Sequence, residues 1–217
     1  LGIASLNLGF GGEGSGGSYH TLYDTYQHYT RFRDPGLAYG STLAKVAGRA
    51  TLRLANATQL PFEFTHLVDN ISGYVDELEI LADTLRKQTA RTNTLVSTGQ
   101  FALALDPDKA LTAPVIRAEV PFINFTPLKN ALLQLQAASA RLEQANGSYP
   151  QAQMGRLNKL LYQSERLLTR DHGLPDRSWY RHHIYAPGLT TGYGVKTIPG
   201  VREAIETRDF DKADEQI

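Results

Sequence analysis

A tyrosine and a histidine follow a glycine-rich stretch near the start of the chain. Five glycines between positions 11 and 17 leave a loop with little side-chain bulk, whose backbone can approach a ligand closely. Tyr19 then supplies a phenol and His20 an imidazole, which point to opposite sides of an extended backbone. Asp24 is a candidate carboxylate for orienting a ligating imidazole. An isolated histidine is more often an ordinary hydrogen-bonded residue, but this context predicts a loop that delivers one metal ligand to a site built mostly elsewhere.

Other motifs with possible chemistry are weaker. The glycines match the dinucleotide pattern G-x-G-x-x-G in two overlapping frames, but Tyr19 and His20 follow where a helix should open. Ser15 fails the nucleophile-elbow pattern, because Glu13 stands where that pattern has glycine. His182 and His183 are consecutive, so they would face opposite sides of an extended chain. They are expected to be buried and hydrogen-bonded rather than to bind a metal together.

Composition excludes several classes of function. The 22 basic residues equal the 22 acidic ones, which argues against a nucleic-acid or anionic-membrane surface. The chain has no cysteine, so disulfides, thiolate metal sites and a cysteine nucleophile are excluded. No stretch approaches the roughly 18 apolar residues of a membrane helix. The first residues resemble the middle of a domain and the last resemble the beginning of a helix, so the chain is expected to be a fragment.

The predicted elements that must position these residues are mostly helices. Proline after a capping residue predicts a helix from Asp34 to about Ala57. The residues expected on its inward face are Leu37, Leu43, Ala44, Ala47, Ala50 and Leu54. Leu60-Pro61-Phe62 marks the best domain boundary. Apolar periodicity predicts further helices at 66–89, from Thr126 to Gly147, and at 149–170, and Pro199 starts a last short one. Residues 92–124 and 171–199 are expected to be long irregular connections.

The chain resembles the glutamate carboxypeptidase II family, which includes the transferrin receptors. The resemblance lies in the order and spacing of these blocks: Leu1-Gly2-Ile3-Ala4-Ser5, Tyr19-His20-Thr21-Leu22-Tyr23-Asp24-Thr25-Tyr26, Asp34-Pro35, Leu54-Ala55-Asn56, Leu60-Pro61-Phe62, Gly173-Leu174-Pro175-Asp176-Arg177, Tyr180-Arg181-His182 and Ile184-Tyr185-Ala186-Pro187.

The resemblance implies a mainly α fold. In that family a di-zinc peptidase domain of α/β architecture is followed by a helical dimerisation domain. Residues 1–58 would be the C-terminal remnant of the peptidase domain. Residues 59–217 would form the helical bundle of a transferrin-receptor-like dimerisation domain, without its last helix. The implied partners are a second copy of the protein and a peptide substrate, and the implied cofactor is a pair of zinc ions.

The resemblance also implies roles for individual residues. His20 would be the last zinc ligand, and Tyr19 would donate to the oxyanion of the transition state. The loop with Gly192 and Tyr193 would close the substrate pocket and reach back towards His20. Glutamate-specific members have lysine where this chain has Gly192. They also have arginines where this chain has Asn7 and Gly9. A broader carboxypeptidase or aminopeptidase specificity is therefore at least as plausible.

Two functions from different classes follow. The first is a co-catalytic zinc exopeptidase that hydrolyses peptides, of which this chain is the C-terminal portion; the retained Tyr19-His20 pair favours it. The second is a non-catalytic, transferrin-receptor-like binding or dimerising protein. A third possibility is a stand-alone helical interaction module. The first 58 residues, which resemble the end of a peptidase domain, argue against it. The 217-residue chain alone is expected to be inactive. The resemblance implies export or membrane anchoring through a segment upstream, while the compartment stays open.

Overall fold

The computed structural model describes residues 2–11, 17–103, 108, 112, 114–145 and 147–217. This part of the chain is mainly helical, with one two-stranded sheet. Its α-helices are α1 (Tyr26–His28), α2 (Ala38–Ala55), α3 (Thr65–Ser97), α4 (Gln100–Leu103), α5 (Thr126–Gln144), α6 (Met154–Gln163), α7 (Pro199–Thr207) and α8 (Phe210–Gln216). A π-helical turn covers Tyr29–Arg33, and 3₁₀ turns cover Pro35–Leu37, Gln151–Gln153 and Ser164–Leu168. None of the described helices is long and apolar enough to cross a membrane.

The described residues form two compact units. The larger unit comprises Gly2 together with the described residues of Glu63–Tyr149 and Ser164–Ile217. The smaller unit comprises the described residues of Ile3–Phe62 with Pro150–Gln163. One of the breaks between the units follows Phe62, at the end of the Leu60-Pro61-Phe62 boundary signal. The division into domains 1–58 and 59–217 stays a prediction, because it concerns the architecture of a longer protein.

The larger unit has a core built on α3. The predicted apolar stripe of α3 is confirmed: Ile71, Val75, Leu78 and Ala82 are buried, and Tyr74 and Leu85 pack against the same cluster. Residues of α7 and α8, together with the segment before α5 and the residue before α7, complete this core, namely Ile123, Phe125, Ile198, Val201, Ala204, Ile205 and Ala213. Burying such side chains removes apolar surface from water, which is the main source of folding free energy.

Helix α3 is longer than the periodicity predicts. The predicted end at residue 89 is wrong, because the helix continues to Ser97. Its C-terminal part binds an extended segment through polar groups instead of an apolar face. The side-chain amide of Asn93 donates to the carbonyl of Arg117 at 2.8 Å, and its oxygen accepts from the Arg117 N–H at 3.0 Å. Arg86 donates to the carbonyls of Val120 and Pro121. Apolar periodicity in the sequence does not predict such polar contacts.

Helix α5 packs on α3, and its bounds are close to the prediction. It starts at Thr126, has Pro127 in its first turn, and ends three residues before Gly147, which has a positive φ of 78°. The residue before the helix, Phe125, makes no side-chain capping hydrogen bond. The Thr126 N–H donates instead to the side-chain oxygen of Asn124 at 3.1 Å, so the asparagine satisfies one of the free N–H groups at this end of the helix.

The smaller unit contains α2 and α6. The predicted helix start at Asp34 is wrong: α2 begins at Ala38, after a 3₁₀ turn whose residues Gly36 and Leu37 have positive φ angles of 76° and 57°. The Asp34 carboxylate nevertheless accepts N–H groups of the first turn of α2, from Tyr39 at 2.9 Å and Gly40 at 2.8 Å. Burial acts to raise the pKa of Asp34, but the hydrogen bonds from Gly40, Tyr39 and Tyr29 outweigh it and the pKa is lowered. In α6, Asn158 accepts from the Leu60 N–H and donates to the Thr58 carbonyl, each at 2.9 Å.

Two expectations about apolar faces are wrong. The predicted inward face of α2 contains no buried residue. In the predicted helix 149–170, Leu161 is buried but Leu160 and Leu167 are 61% and 86% exposed. That segment breaks into α6 and two 3₁₀ turns. Leu167 lies in the second 3₁₀ turn, where three residues per turn rotate it away from a 3.6-residue stripe, whereas Leu160 lies on an exposed side of α6 itself.

A β-hairpin lies within the predicted loop 171–199. Strand β1 (Tyr185–Pro187) pairs antiparallel with β2 (Val195–Thr197), and Ala186 faces Lys196 across the ladder. The pair continues into α7, since the Ile198 N–H donates to the Ile184 carbonyl at 2.7 Å. This hairpin carries residues 188–194 at its tip, so it positions the predicted pocket residues Gly192 and Tyr193.

Candidate functional site

Tyr19 and His20 lie in a tight turn of the smaller unit. The Thr21 N–H donates to the Ser18 carbonyl at 3.1 Å, and His20 has a positive φ of 60°. This left-handed backbone is uncommon for a residue other than glycine. The rings of Tyr19 and His20 therefore stack, with centroids 3.8 Å apart and planes at 22°. The expectation that they point to opposite sides is wrong, because the backbone turns here instead of running extended.

Both rings of this turn are accessible. The Tyr19 side chain is 75% exposed, and His20 is also exposed. The described residues show no hydrogen bond between Asp24 and the His20 ring, so the predicted orienting role of Asp24 has no support. Asp24 instead closes the next turn, where its N–H donates to the Thr21 carbonyl at 3.1 Å. The turn thus presents a phenol and an imidazole side by side on an open surface.

The described residues fit only a small share of a zinc site. Among them there is no group of three or more histidines, aspartates and glutamates that could hold a metal ion. Catalytic zinc sites use three protein ligands and an open position, and imidazole nitrogen is a common ligand. The exposed imidazole of His20 can supply one such ligand, and its assignment as a zinc ligand stays a prediction.

Gly192 and Tyr193 lie at the tip of the hairpin in the larger unit, in a loop that we define as residues 188–194. The loop is closed by the Gly188 N–H, which donates to the Gly194 carbonyl at 2.9 Å, and by the Thr191 hydroxyl, which donates to the same carbonyl at 2.8 Å. Gly192 has a positive φ of 61°, which glycine adopts without strain. Tyr193 is 99% exposed. Because His20 and Tyr193 lie in different compact units, their predicted approach stays a prediction.

Two residues with no predicted role hold the base of this loop. The Arg177 side chain, only 3% exposed, donates to Glu203 Oε2 at 2.7 Å. The other carboxylate oxygen of Glu203 accepts the Leu189 N–H at 2.8 Å. Arg177 ends the block Gly173-Leu174-Pro175-Asp176-Arg177, and Glu203 lies on α7. Only the fold brings them together.

The predicted buried and hydrogen-bonded role is confirmed for His182 but not for His183, whose buried Nε2 has no hydrogen-bond partner among the described residues. His182 is 7% exposed; its Nε2 lies 2.8 Å from Glu165 Oε1, and its Nδ1 accepts the N–H groups of Ile184 and Tyr185. His183 is half-buried. Burial, followed by the charges of Arg170, His172 and His182, lowers its pKa to about 4. Burial and then the Glu165 carboxylate raise the pKa of Tyr185.

Comparison with known proteins agrees with the resemblance seen in the sequence. Residues 123–217 match the transferrin receptor-like dimerisation domain. Over its whole length, the chain is 29% identical to a probable glutamate carboxypeptidase of Arthroderma benhamiae, of which it covers 26%.

Two further relatives carry related names. Over 87% of its length, the chain is 30% identical to the probable glutamate carboxypeptidase LAMP1 of Arabidopsis thaliana, covering 22% of it. Over 94% of its length, it is 26% identical to the aminopeptidase NAALADL1 of Rattus norvegicus, covering 24% of it. The chain thus spans about a quarter of the length of the relatives it matches. Together with its helical architecture, these matches show that the chain belongs to the family of the glutamate carboxypeptidases and transferrin-receptor-like proteins.

Proposed function

We propose that this chain is the C-terminal portion of a co-catalytic zinc exopeptidase that hydrolyses peptides. The observation that carries the proposal is the Tyr19-His20 turn, an exposed phenol and imidazole side by side, in a chain that aligns from end to end with a probable glutamate carboxypeptidase. A receptor without catalysis has no use for a metal ligand at this place. The whole protein would be about four times as long as the chain, judged from the relatives.

In this proposal His20 is one ligand of a zinc pair. The other ligands and the general base would come from the part of the relatives' length that this chain does not span. When bound, the zinc pair supplies a nucleophile at neutral pH and polarises the peptide carbonyl. Tyr19 donates its phenolic hydrogen to the oxyanion that develops on this carbonyl, a contact that is stronger in the transition state than in the ground state.

The larger unit has two roles in this proposal. Its helical core, which includes the matched residues 123–217, serves self-association into a homodimer. Its hairpin loop, with Tyr193 at the tip, closes the substrate pocket. An exposed aromatic side chain on a short, closed loop suits such a wall, because it offers contact area with few rotatable bonds.

The substrate preference is expected to be broader than glutamate. Gly192 stands where glutamate-specific family members have lysine, and Asn7 and Gly9 stand where they have arginine. An acidic substrate side chain would lose charge-assisted hydrogen bonds at each of these places. The relatives' names cover carboxypeptidases and an aminopeptidase, so both kinds of exopeptidase stay candidates.

The test is peptide hydrolysis by the intact protein that contains this chain. We expect cleavage of terminal residues from short peptides, loss of cleavage after treatment with a chelator, and recovery on addition of zinc. The alternative is a non-catalytic, transferrin-receptor-like binding protein. A purified, zinc-loaded dimer that cleaves none of a broad panel of carboxyl-blocked and amino-blocked peptides would favour this alternative and contradict the proposal.

A further inference from the structure

The buried guanidinium of Arg177 lies in a tightly wound segment of the larger unit. The Arg177 N–H donates to the Leu174 carbonyl at 3.2 Å, and its own carbonyl accepts the Tyr180 N–H at 3.0 Å. A side chain on Gly173 would meet the carbonyl oxygen of Ser178 at 2.2 Å, so the backbone packs closely at this place. The position of the Arg177 side chain therefore follows from a backbone that has little freedom to move.

This guanidinium fixes Glu203 in one orientation. A charge that is removed from water requires a partner of opposite charge with good geometry. Glu203 Oε2 provides it at 2.7 Å, and both side chains are largely buried. The second oxygen, Oε1, is then left pointing at the first residue after Gly188, where it accepts the Leu189 N–H at 2.8 Å. One carboxylate thus connects a buried arginine to the start of the loop that carries Tyr193.

We infer that Arg177 and Glu203 are positioning residues that hold the loop 188–194 in place. The contacts within the loop close it on itself but do not fix it to the core. On the other side of the loop, Lys196 pairs with Glu206 through both carboxylate oxygens at 2.8 Å, but this link involves a partly exposed lysine on β2 rather than the loop backbone. Given the proposed function, on which this step rests, the Arg177–Glu203 pair also sets the position of Tyr193 in the substrate pocket.

The first experiment measures hydrogen exchange at the Leu189 amide in this chain. Glu203→Gln keeps the size of the side chain but loses the charge that Arg177 requires. Glu203→Asp keeps the charge but withdraws the carboxylate from the Leu189 N–H. We expect both variants to keep the wild-type circular dichroism spectrum and to exchange Leu189 at least tenfold faster. Glu206→Gln, on the same helix and with the same loss of charge, should change Leu189 exchange less than twofold. Wild-type exchange in the Glu203→Asp variant would overturn the inference.

The second experiment measures peptide hydrolysis by the intact protein. If the loop places Tyr193 against the substrate, Glu203→Asp should raise KM about fivefold or more and leave kcat within twofold of wild type. A merely destabilised protein would instead lose active enzyme and lower the apparent kcat. Faster Leu189 exchange with unchanged KM would contradict the substrate role of this pair. A wild-type protein without any hydrolysis would contradict the proposed function, while the exchange experiment would still decide whether Glu203 holds the loop.

Discussion

The Nε2 atom of His182 lies 2.8 Å from Glu165 Oε1, and this contact identifies the tautomer of the imidazole. The Nδ1 atom accepts the N–H groups of Ile184 and Tyr185, so the ring hydrogen lies on Nε2 and is donated to the carboxylate. The ring therefore joins the 3₁₀ turn Ser164–Leu168 to the start of the hairpin.

Removing this ring should destabilise the larger unit. His182→Ala leaves the N–H groups of Ile184 and Tyr185 without their acceptor, in a site where the side chain was 7% exposed. Unpaired buried polar groups cost about 1–3 kcal/mol each, so we expect the free energy of unfolding to fall by roughly 2–4 kcal/mol. Urea denaturation followed by circular dichroism measures this. The control is His66→Ala, since the His66 side chain is 77% exposed. Equal small effects of the two substitutions would contradict the packing role.

Stability should depend on pH through His183. The pKa of this group is 6.5 in an unfolded chain and about 4 in the folded protein, mainly because of burial. Between these values the unfolded state binds more protons, so the free energy of unfolding falls as the pH is lowered from 6.5 towards 4. Above pH 6.5 the contribution is fully present. Carboxylates titrate in the same range, so the measurement is the difference in pH slope between wild type and His183→Asn. We expect a shallower slope in the variant, and identical slopes would refute this assignment.

The α3 stripe allows a matched test of the core. Leu78 is fully buried, whereas Ile80 on the same helix is 66% exposed. Leu78→Ala removes buried methyl groups and leaves a cavity, which typically costs about 2–5 kcal/mol. Ile80→Ala should change the free energy of unfolding by no more than about 0.5 kcal/mol. Thermal or urea denaturation of both variants checks this, and a small effect at Leu78 would show that α3 is not the centre of the core.

The sequence predicts the core better than it predicts the polar contacts. The stripe of α3 is visible because apolar residues recur at the helical period, and Pro127 and Pro199 mark helix starts through their fixed φ. The end of α3 is missed because Asn93 and Arg86 hold the following segment through hydrogen bonds. The hairpin is missed because its strands are three residues long and lie among glycines.

The candidate site shows the same limit. The Tyr19-His20 pair is found from residue types and a resemblance. The stacking of the two rings depends on a positive φ at His20, which the residue type does not predict. The sequence does not identify Glu203 as a positioning residue, because its partner Arg177 lies 26 positions away and its other carboxylate oxygen accepts a backbone N–H. Contacts between distant residues of ordinary type require the fold.

The 217-residue chain alone should neither hold zinc tightly nor hydrolyse peptides. Its described residues offer no cluster of three metal-binding side chains, and one imidazole cannot supply the ligands that a catalytic zinc requires. Metal analysis after gel filtration and a peptide assay test this directly. Stoichiometric zinc that survives gel filtration, or peptide hydrolysis that a chelator abolishes, would contradict the statement that most ligands lie outside this chain.

The most direct measurement of the central claim is the effect of His20→Ala on the intact protein, read as zinc content, hydrolysis rate and dimer content. If His20 is one ligand of the zinc pair, bound zinc should fall and hydrolysis should drop by at least a hundredfold, while sedimentation shows an unchanged dimer. His28→Ala, a neighbouring histidine without a proposed role, should retain hydrolysis within about twofold. Full hydrolysis and full zinc content in the His20→Ala protein would contradict the account.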